Sequence, residues 1–176
     1  MSLTKVANRY AKAFFELVKM DRSLEAIAAD VKDLRACALH SQELLNFFNN
    51  PVLTQDAKKS IIRSLFEKKI NKVVLNFLLF LIEKRRLNLT LEICKIFDQL
   101  YLDHKNIAEI RIVSAFPVAK AQVDAITKKL SEELHKEVRA VVSQDPALIG
   151  GIKVKTPDVT FDFSFSSQLV KFRQSL

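Results

Sequence analysis

The chain of 176 residues is 49% hydrophobic and 27% charged, a globular composition whose length fits one large domain or two small ones. Its formal net charge is +8, and its only two glycines are adjacent, at Gly150 and Gly151. Phosphate-binding loops with spaced glycines are therefore excluded, and the two cysteines and three histidines are too scattered for a zinc site.

The first 105 residues contain one proline and no glycine, so we predict that they are mainly helical. The first predicted helix covers residues 4–20 and carries two neighbouring apolar stripes. An apolar arc of this width is compatible with a helix that contacts the core on one side and a partner on the other. The stripes are Val6, Tyr10, Phe14 and Leu17, and Ala7, Ala11, Phe15 and Val18.

Five further helices are predicted where a capping residue precedes apolar residues at helical spacing. Because the connections between them are short, neighbouring helices should pack antiparallel, which predicts a bundle of five or six helices over residues 1–105, and we take six as the prediction. In chain order, the predicted first residues or caps are Asp21 or Ser23, Ser41, Thr54, Asn71, and Asn88 or Thr90. The apolar positions expected to face inward include Leu24, Ile27, Val31, Leu34, Phe47 or Phe48, Ile62, Leu65, Leu78, Ile82 and Phe97.

From residue 106 onward the pattern changes to strands and one long helix, which predicts a smaller α/β domain over residues 106–176. A β-rich stretch at 107–113 is followed by a helix at about 119–136. A half-buried strand containing Val138, Ala140 and Val142 comes next. After the glycine pair we predict a hairpin with its turn at residues 156–158, and then a short helix beginning at Ser164 or Ser166. The fold class is therefore mainly α with a smaller α/β domain, which at about 70 residues is marginal alone.

The positive charge is concentrated in residues 58–86, where nine basic residues accompany two acidic ones. On charge alone, a solvated helix face is the favoured interpretation. The segment is also compatible with a contact to an acidic protein surface or to nucleic acid. No aromatic repeat or recognition-helix pattern for nucleic acid accompanies it.

No stretch of the sequence predicts a membrane span, because the longest apolar run, residues 73–82, is well short of the roughly 20 residues required. The N-terminus enters helical patterning at once, without the features of a leader peptide. No grouping of nucleophile, base and oxyanion donors suggests an active site. We therefore predict no catalytic, cofactor-binding or metal-binding residues.

Several short motifs follow one another over nearly the whole chain. They are Tyr10–Phe14 (YAKAF), Asn76–Leu87 (NFLLFLIEKRRL), Ser114–Pro117 (SAFP), Asp145–Gly151 (DPALIGG) with Val154, and Asp162-x-Ser164 with Leu169. In this order and spacing they resemble the δ subunit of F-type ATP synthase, equivalent to the oligomycin-sensitivity-conferring subunit (OSCP) of mitochondria. The chain departs from the family pattern at Phe163, where a small residue is usual, and at Phe165, where a basic residue is frequent.

The resemblance implies a non-catalytic stator subunit that links the catalytic head to the b subunits of the peripheral stalk, so that rotor torque drives ATP synthesis. Domain 1–105 would bind the N-terminal helix of an α subunit, and domain 106–176 would bind the stalk. The alternative is a basic helical protein that binds nucleic acid or acts as an adaptor. The implied location is peripheral, at the cytoplasmic face of a bacterial inner membrane, with membrane contact only through the complex.

Two groups of residues are candidates for these roles. Those for the α-subunit helix lie on the first and fifth helices: Tyr10, Ala11, Phe14, Phe77 and Leu78. Those that mark the second domain are Gly150, Gly151, Asp162, Ser164 and Leu169. We expect Ser164 to cap the terminal helix and Asp162 to bind loop amides. The glycine pair is expected to allow a bulge or a positive φ. The terminal helix, with Leu169, Val170 and Phe172, is the candidate stalk surface.

Overall fold

A computed structural model of the protein describes residues 3–21, 23–156, 160–165 and 167. The chain divides into two compact units, Met1–Tyr101 and Leu102–Leu176, and the division falls inside the sixth helix. The first unit is helical, and the second combines a helix with a four-stranded sheet. The predicted fold class, mainly α with a smaller α/β domain, is confirmed.

Six α-helices build the first unit, within the residues described. They are α1 (Leu3–Val18), α2 (Leu24–His40), α3 (Gln42–Asn49), α4 (Gln55–Phe66), α5 (Lys72–Glu83) and α6 (Thr90–His104), with a 3-10 turn at Leu87–Leu89. No helix in the described part of the chain is long and apolar enough to cross a membrane.

Three of the predicted helix caps are confirmed. The side chains of Ser41, Thr54 and Asn71 each accept a hydrogen bond from a backbone N–H two or three residues later, over 2.9 to 3.3 Å. Each bond satisfies an N–H group that the first turn of the helix leaves without a partner. Local chemistry therefore determines where α3, α4 and α5 begin.

At the other two predicted helix starts, the polar side chain does not accept a hydrogen bond from the first turn of the helix. The Asp21 carboxylate accepts hydrogen bonds from the N–H and hydroxyl of Ser23, so these residues bind each other, and Ser23 precedes α2 without a side-chain cap. Helix α6 begins at Thr90, whose hydroxyl donates to the Leu87 carbonyl over 2.6 Å and so does not cap an N–H group. A polar residue lies at the start of each of these two helices, but its side chain makes a different hydrogen bond from the predicted helix cap.

The core of the bundle is aromatic at its centre. Phe14 of α1 stacks on Phe77 of α5 with ring centroids 4.1 Å apart, and Tyr10 meets Phe80 edge-on at 6.1 Å. Since a later residue of α1 faces an earlier residue of α5, the two helices run antiparallel. The prediction that Leu65 faces inward is wrong, because this residue is 42% exposed on the outer side of α4. The predicted inward residues that are buried include Leu24, Ile27, Val31, Leu34, Phe48, Ile62, Leu78, Ile82 and Phe97.

Four strands and one helix build the second unit, in the part of it that is described. They are β1 (Ile107–Ser114), α7 (Lys120–Leu134), β2 (Glu137–Gln144), β3 (Ile152–Lys155) and β4 (Thr160–Asp162), in the sheet order β2-β1-β3-β4. The pair β1/β2 is parallel and is joined through α7, whereas β1/β3 and β3/β4 are antiparallel. The predicted hairpin is thus present as β3 and β4.

The core of this unit lies between α7 and one face of the sheet. Ile110, Ile112 and Val154 are buried there, and apolar side chains of α7 pack against them. In the predicted half-buried strand, now β2, Val138 and Ala140 are half-buried as expected, but Val142 is 43% exposed. An edge strand has a neighbour on only one side, so alternation along it predicts burial poorly. Several predicted features lie outside the described residues: the hairpin turn at 157–158, Val159, Ser166, Leu169, Val170 and Phe172.

Scarcity of glycine has a visible consequence in the backbone. Arg85, Asn106, His135 and Ile149 adopt positive φ values between 51° and 62°, a region that glycine usually occupies. Arg85 ends α5: its N–H bonds to the Ile82 carbonyl, and the next N–H reaches five residues back. That pair of bonds is the usual helix-ending pattern with glycine at the left-handed position.

Candidate partner-binding surfaces

A shallow groove of about 410 Å³ lies on the surface of the bundle between α1 and the end of α5. Its apolar lining comes from both helices, and an arginine from each segment borders it. Phe80 is 40% exposed, so its ring contributes apolar surface to the groove. The lining residues are Val6, Arg9, Tyr10, Ala13, Phe80 and Arg86.

Of the five residues predicted for this surface, the structure brings only Tyr10 to the groove. Ala11, Phe14 and Leu78 are 0 to 5% exposed and belong to the bundle core. Phe77 is half-buried and stacks on Phe14. The three buried residues therefore support the groove from below and present little surface to a partner.

Sequence reasoning missed Phe80, Arg9 and Arg86 as groove residues. The available signal was the helical spacing: Phe80 lies three positions after Phe77 and so shares one side of α5 with it. On α1 the same logic connects Val6, Tyr10 and Ala13. The groove exists because the antiparallel contact of α1 and α5 brings these two stripes together, which one-dimensional spacing does not reveal.

The basic residues of segment 58–86 take part in several separate interactions. Lys59 forms an ion pair with Glu83 at 2.7 Å, and this hydrogen bond lowers the pKa of the Glu83 carboxyl below its ordinary value. The Lys84 ammonium lies 5.5 Å from the Phe80 ring centroid, a distance that allows a cation–π contact. Because Arg86 borders the groove as well, part of the positive charge surrounds the exposed Phe80 ring.

Asp162 organises the end of the sheet in the second unit. Its carboxylate pairs with Lys153 at 2.6 Å and accepts hydrogen bonds from the hydroxyls of Ser164 and Ser167 at 2.6 and 2.8 Å. The Ser164 N–H also donates to it. The Lys153 ammonium first, and then these serine bonds, hold the pKa of Asp162 well below its usual range.

Ser164 is fully buried, and its hydroxyl accepts a hydrogen bond from the Ser167 N–H, as a helix cap does. The bonds among the described residues of this cluster involve serine, lysine and aspartate side chains and no histidine, which would be the base in an Asp–Ser arrangement for nucleophilic catalysis. The role of the cluster is structural: it fastens the end of β4 to the residues that follow. Leu169, the last residue of the predicted motif, lies outside the described residues.

The adjacent glycines contact this same cluster. Gly151 has φ +82°, and a Cβ there would collide with the backbone carbonyl of Phe163. Gly150 faces the Phe165 ring, and the Phe165 N–H donates to its carbonyl over 3.0 Å. The expected positive φ is therefore found at the second glycine of the pair.

Within the described residues, no group of three or more His, Cys, Asp or Glu side chains is arranged to hold a metal ion. Cys94 is buried among the bundle helices, and burial raises the pKa of its thiol to about 12. A thiol with that pKa is a packing residue, since the reactive species is the thiolate.

Comparison with known proteins gives one consistent result. A family model described as "ATP synthase delta (OSCP) subunit" matches residues 6–176. The chain belongs to this family. Curated relatives named "ATP synthase subunit delta" include one from Desulfitobacterium hafniense (strain DSM 10664 / DCB-2), 33% identical over 97% of this chain and 96% of the relative. Another, from Prochlorococcus marinus (strain MIT 9301), is 34% identical over 99% of this chain and 97% of the relative.

The fold agrees with that of a solved member of such a complex. A chain in the cryo-EM structure of the Toxoplasma gondii mitochondrial ATP synthase hexamer matches with a TM-score of 0.80, 20% identity and 96% coverage of both chains. As a member of the delta (OSCP) family, this chain is a non-catalytic stator subunit of F-type ATP synthase, which links the catalytic head to the peripheral stalk. These findings give no support to the alternative of a nucleic-acid-binding or adaptor protein.

Proposed function

We propose that the α1–α5 groove binds the amphipathic N-terminal helix of an ATP synthase α subunit and so attaches this stator subunit to the catalytic head. The observation that carries the proposal is an exposed apolar trough with an arginine from α1 and one from the end of α5 on its border. An amphipathic helix needs such a surface, because its apolar face enters the trough and its polar flanks meet the charged edges.

Two features of the groove favour a helix as the occupant. Ala13 is exposed on α1, and its small side chain leaves room for another backbone to approach closely. Tyr10 and Phe80 present aromatic surface that buries a large area at low entropic cost. The buried residues Ala11, Phe14 and Leu78 hold α1 and α5 in register beneath this surface.

Ala13→Glu tests the groove by placing a charged, larger side chain in it. We expect the affinity of the full-length protein for a peptide from the N-terminus of its cognate α subunit to fall at least about tenfold, because the longer side chain occupies the trough and its carboxylate must lose water when the apolar face of the peptide binds. Isothermal titration calorimetry measures the change. The matched control is Ala29→Glu, the same substitution at an exposed alanine of α2 outside the groove. Equal affinities of the two variants for the peptide would contradict the proposal.

We also propose that the second unit binds the b subunits of the peripheral stalk. The supporting observation is a series of exposed aromatic rings where the chain leaves the sheet. Phe161, Phe163 and Phe165 are 39%, 57% and 56% exposed. Large exposed apolar residues that are close in sequence are typical of a protein interface. Two of them, Phe163 and Phe165, stand where the family pattern has small or basic residues.

Phe163→Ser tests this second surface. Because an exposed aromatic anchor would be lost, binding of the full-length protein to the soluble part of the b subunits should weaken about tenfold. Val141→Ser is the control, since Val141 is 43% exposed on β2, at the opposite edge of the sheet from β4. Co-sedimentation or calorimetry gives the affinities. A folded chain that lacks residues 165–176 and still binds the stalk normally would argue against this surface.

Finally, we propose that the complex lies at the cytoplasmic face of a bacterial inner membrane. The support is that the delta relatives at 33% and 34% identity come from Desulfitobacterium and Prochlorococcus. Protease should remove the subunit from inverted membrane vesicles but not from intact cells. Degradation in intact cells would contradict that orientation.

A further inference from the structure

A second cavity, of about 540 Å³, lies at the end of α5, beside the connection between α3 and α4. Its floor is apolar, formed by the buried side chains of Phe48, Ile82 and Leu87. Its charged lining residues are Lys58, Arg85 and Arg86, and the described lining contains no carboxylate. We call this cavity the basic pocket.

Hydrogen bonds fix the backbone from which the two arginine side chains extend, and a further one fixes the Lys58 ammonium. Arg85 ends α5 in a left-handed conformation, and Arg86 follows with its N–H bonded to the Leu81 carbonyl at 2.8 Å. The Lys58 ammonium is anchored by the carbonyl of Asn50. Neither arginine has an ion-pair partner among the described residues. Three cations around one cavity without a compensating carboxylate create a positive potential that favours an anionic ligand.

The basic pocket adjoins the α1–α5 groove, because Arg86 lines both cavities. The antiparallel arrangement of α1 and α5 places the C-terminal end of α5 beside the N-terminal part of α1, where Val6 and Tyr10 line the groove. The groove and the basic pocket therefore meet at Arg86.

We propose that the segment bound in the groove continues past Arg86 and places carboxylate side chains in the basic pocket. This inference rests on the proposed function and adds the chemistry of the partner: an amphipathic helix with Asp or Glu residues beside one end of its apolar stripe. Guanidinium groups bind carboxylates in a two-pronged geometry, which also fixes the register of the partner along the groove. The apolar groove that adjoins the basic pocket favours a peptide over a free phosphate-bearing ligand.

The test uses the full-length protein and two synthetic probes. One probe is the cognate α-subunit N-terminal peptide, and the other is the same peptide with every Asp and Glu replaced by Asn and Gln. The pocket variant is Lys58→Gln with Arg85→Asn, since asparagine tolerates the left-handed backbone at that position. The control is Lys68→Gln with Lys69→Gln, which removes the same charge from exposed residues of the same basic segment, outside the basic pocket.

We expect the pocket variant to bind the native peptide about tenfold more weakly at low salt, and the control variant to stay within about twofold of the wild type. The neutralised peptide should bind the wild-type protein with a similar loss and should not distinguish the pocket variant from it. Equal losses in both double variants, or no loss in the pocket variant, would overturn the inference. Circular dichroism melting confirms that each variant is folded.

The outcomes also separate this inference from the groove itself. If Ala13→Glu abolishes binding while the pocket variant binds normally, the groove proposal stands and the pocket inference fails. If the wild-type protein does not bind the native peptide, both fail. If inorganic phosphate shifts the amide resonances around Lys58 and Arg85 but does not compete with the peptide, the basic pocket is a small-anion site and the inference is overturned.

Discussion

Gly151, Asp162 and the residues that bind them show how single positions hold the second unit together. Gly151 lets the backbone at the start of β3 lie against the Phe163 carbonyl. The Asp162 carboxylate binds the side chains of one lysine and two serines. Both positions act on the same few residues after β4. The unit is small, so the loss of either contact removes a large part of its stability.

Gly151→Ala should lower the free energy of unfolding of the second unit by at least about 2 kcal/mol, because the methyl group meets backbone atoms at a positive φ. Gly150→Ala is the comparison, since the atoms nearest to its methyl group would belong to the Phe165 ring, a side chain that is 56% exposed and can rotate away. Hydrogen exchange of the β1 and β3 amides measures the difference. Equal effects of the two substitutions would show that the backbone contact at Gly151 is unimportant.

The depressed pKa of Asp162 makes the second unit sensitive to acid. Because the folded-state pKa lies below the unfolded value of about 4, the carboxylate stabilises the fold fully above that pH. The contribution is lost as the pH falls from about 4 toward the folded-state pKa. We expect Asp162→Asn to lower the melting temperature at pH 7 and to flatten its decline below pH 4. Asp124→Asn, at an exposed position of α7, is the control, and an unchanged pH profile in Asp162→Asn would contradict the prediction.

At the scale of the element, α1 has two different apolar faces. One face is buried: Ala7 and Ala11 are fully covered in a cluster with Leu81, Leu89 and Ile93. The neighbouring face, with Tyr10 and Ala13, lines the groove. The wide arc in the sequence indicated this double role, but only the neighbours of α1 decide which residue belongs to which face.

A pair of identical substitutions separates the two faces. Ala11→Leu overpacks the core and should lower the free energy of unfolding of the bundle by about 1–3 kcal/mol. Ala13→Leu should leave the stability nearly unchanged, because its side chain extends into the open groove. Denaturant titration followed by circular dichroism measures both. Similar losses of stability in the two variants would mean that α1 is buried on both faces.

At the scale of the whole molecule, the sequence was sufficient for the fold class and for most helix starts, because caps such as Ser41 and Thr54 act within one turn. Burial was predicted less well where it depends on distant elements, as at Leu65 and Val142. Phe80 was missed for the same reason. Its exposure results from the way α1 and α5 meet, and no residue near it in the sequence specifies that contact.

The order of β3 and β4 has a mechanical consequence for a subunit that works under load. In this antiparallel hairpin, Lys153 pairs with Asp162 at the open end, opposite the turn. Tension on the chain beyond residue 167 would act on the hairpin in the unzipping direction, which loads one strand pair at a time. The Ser167 bond to the Asp162 carboxylate and the Phe165 N–H bond to the Gly150 carbonyl lie nearest the pulled end and would bear that force first, and the Lys153–Asp162 ion pair would follow. The Asp162 carboxylate therefore resists opening of the hairpin, and the force at which the hairpin opens should depend on the charge of this carboxylate.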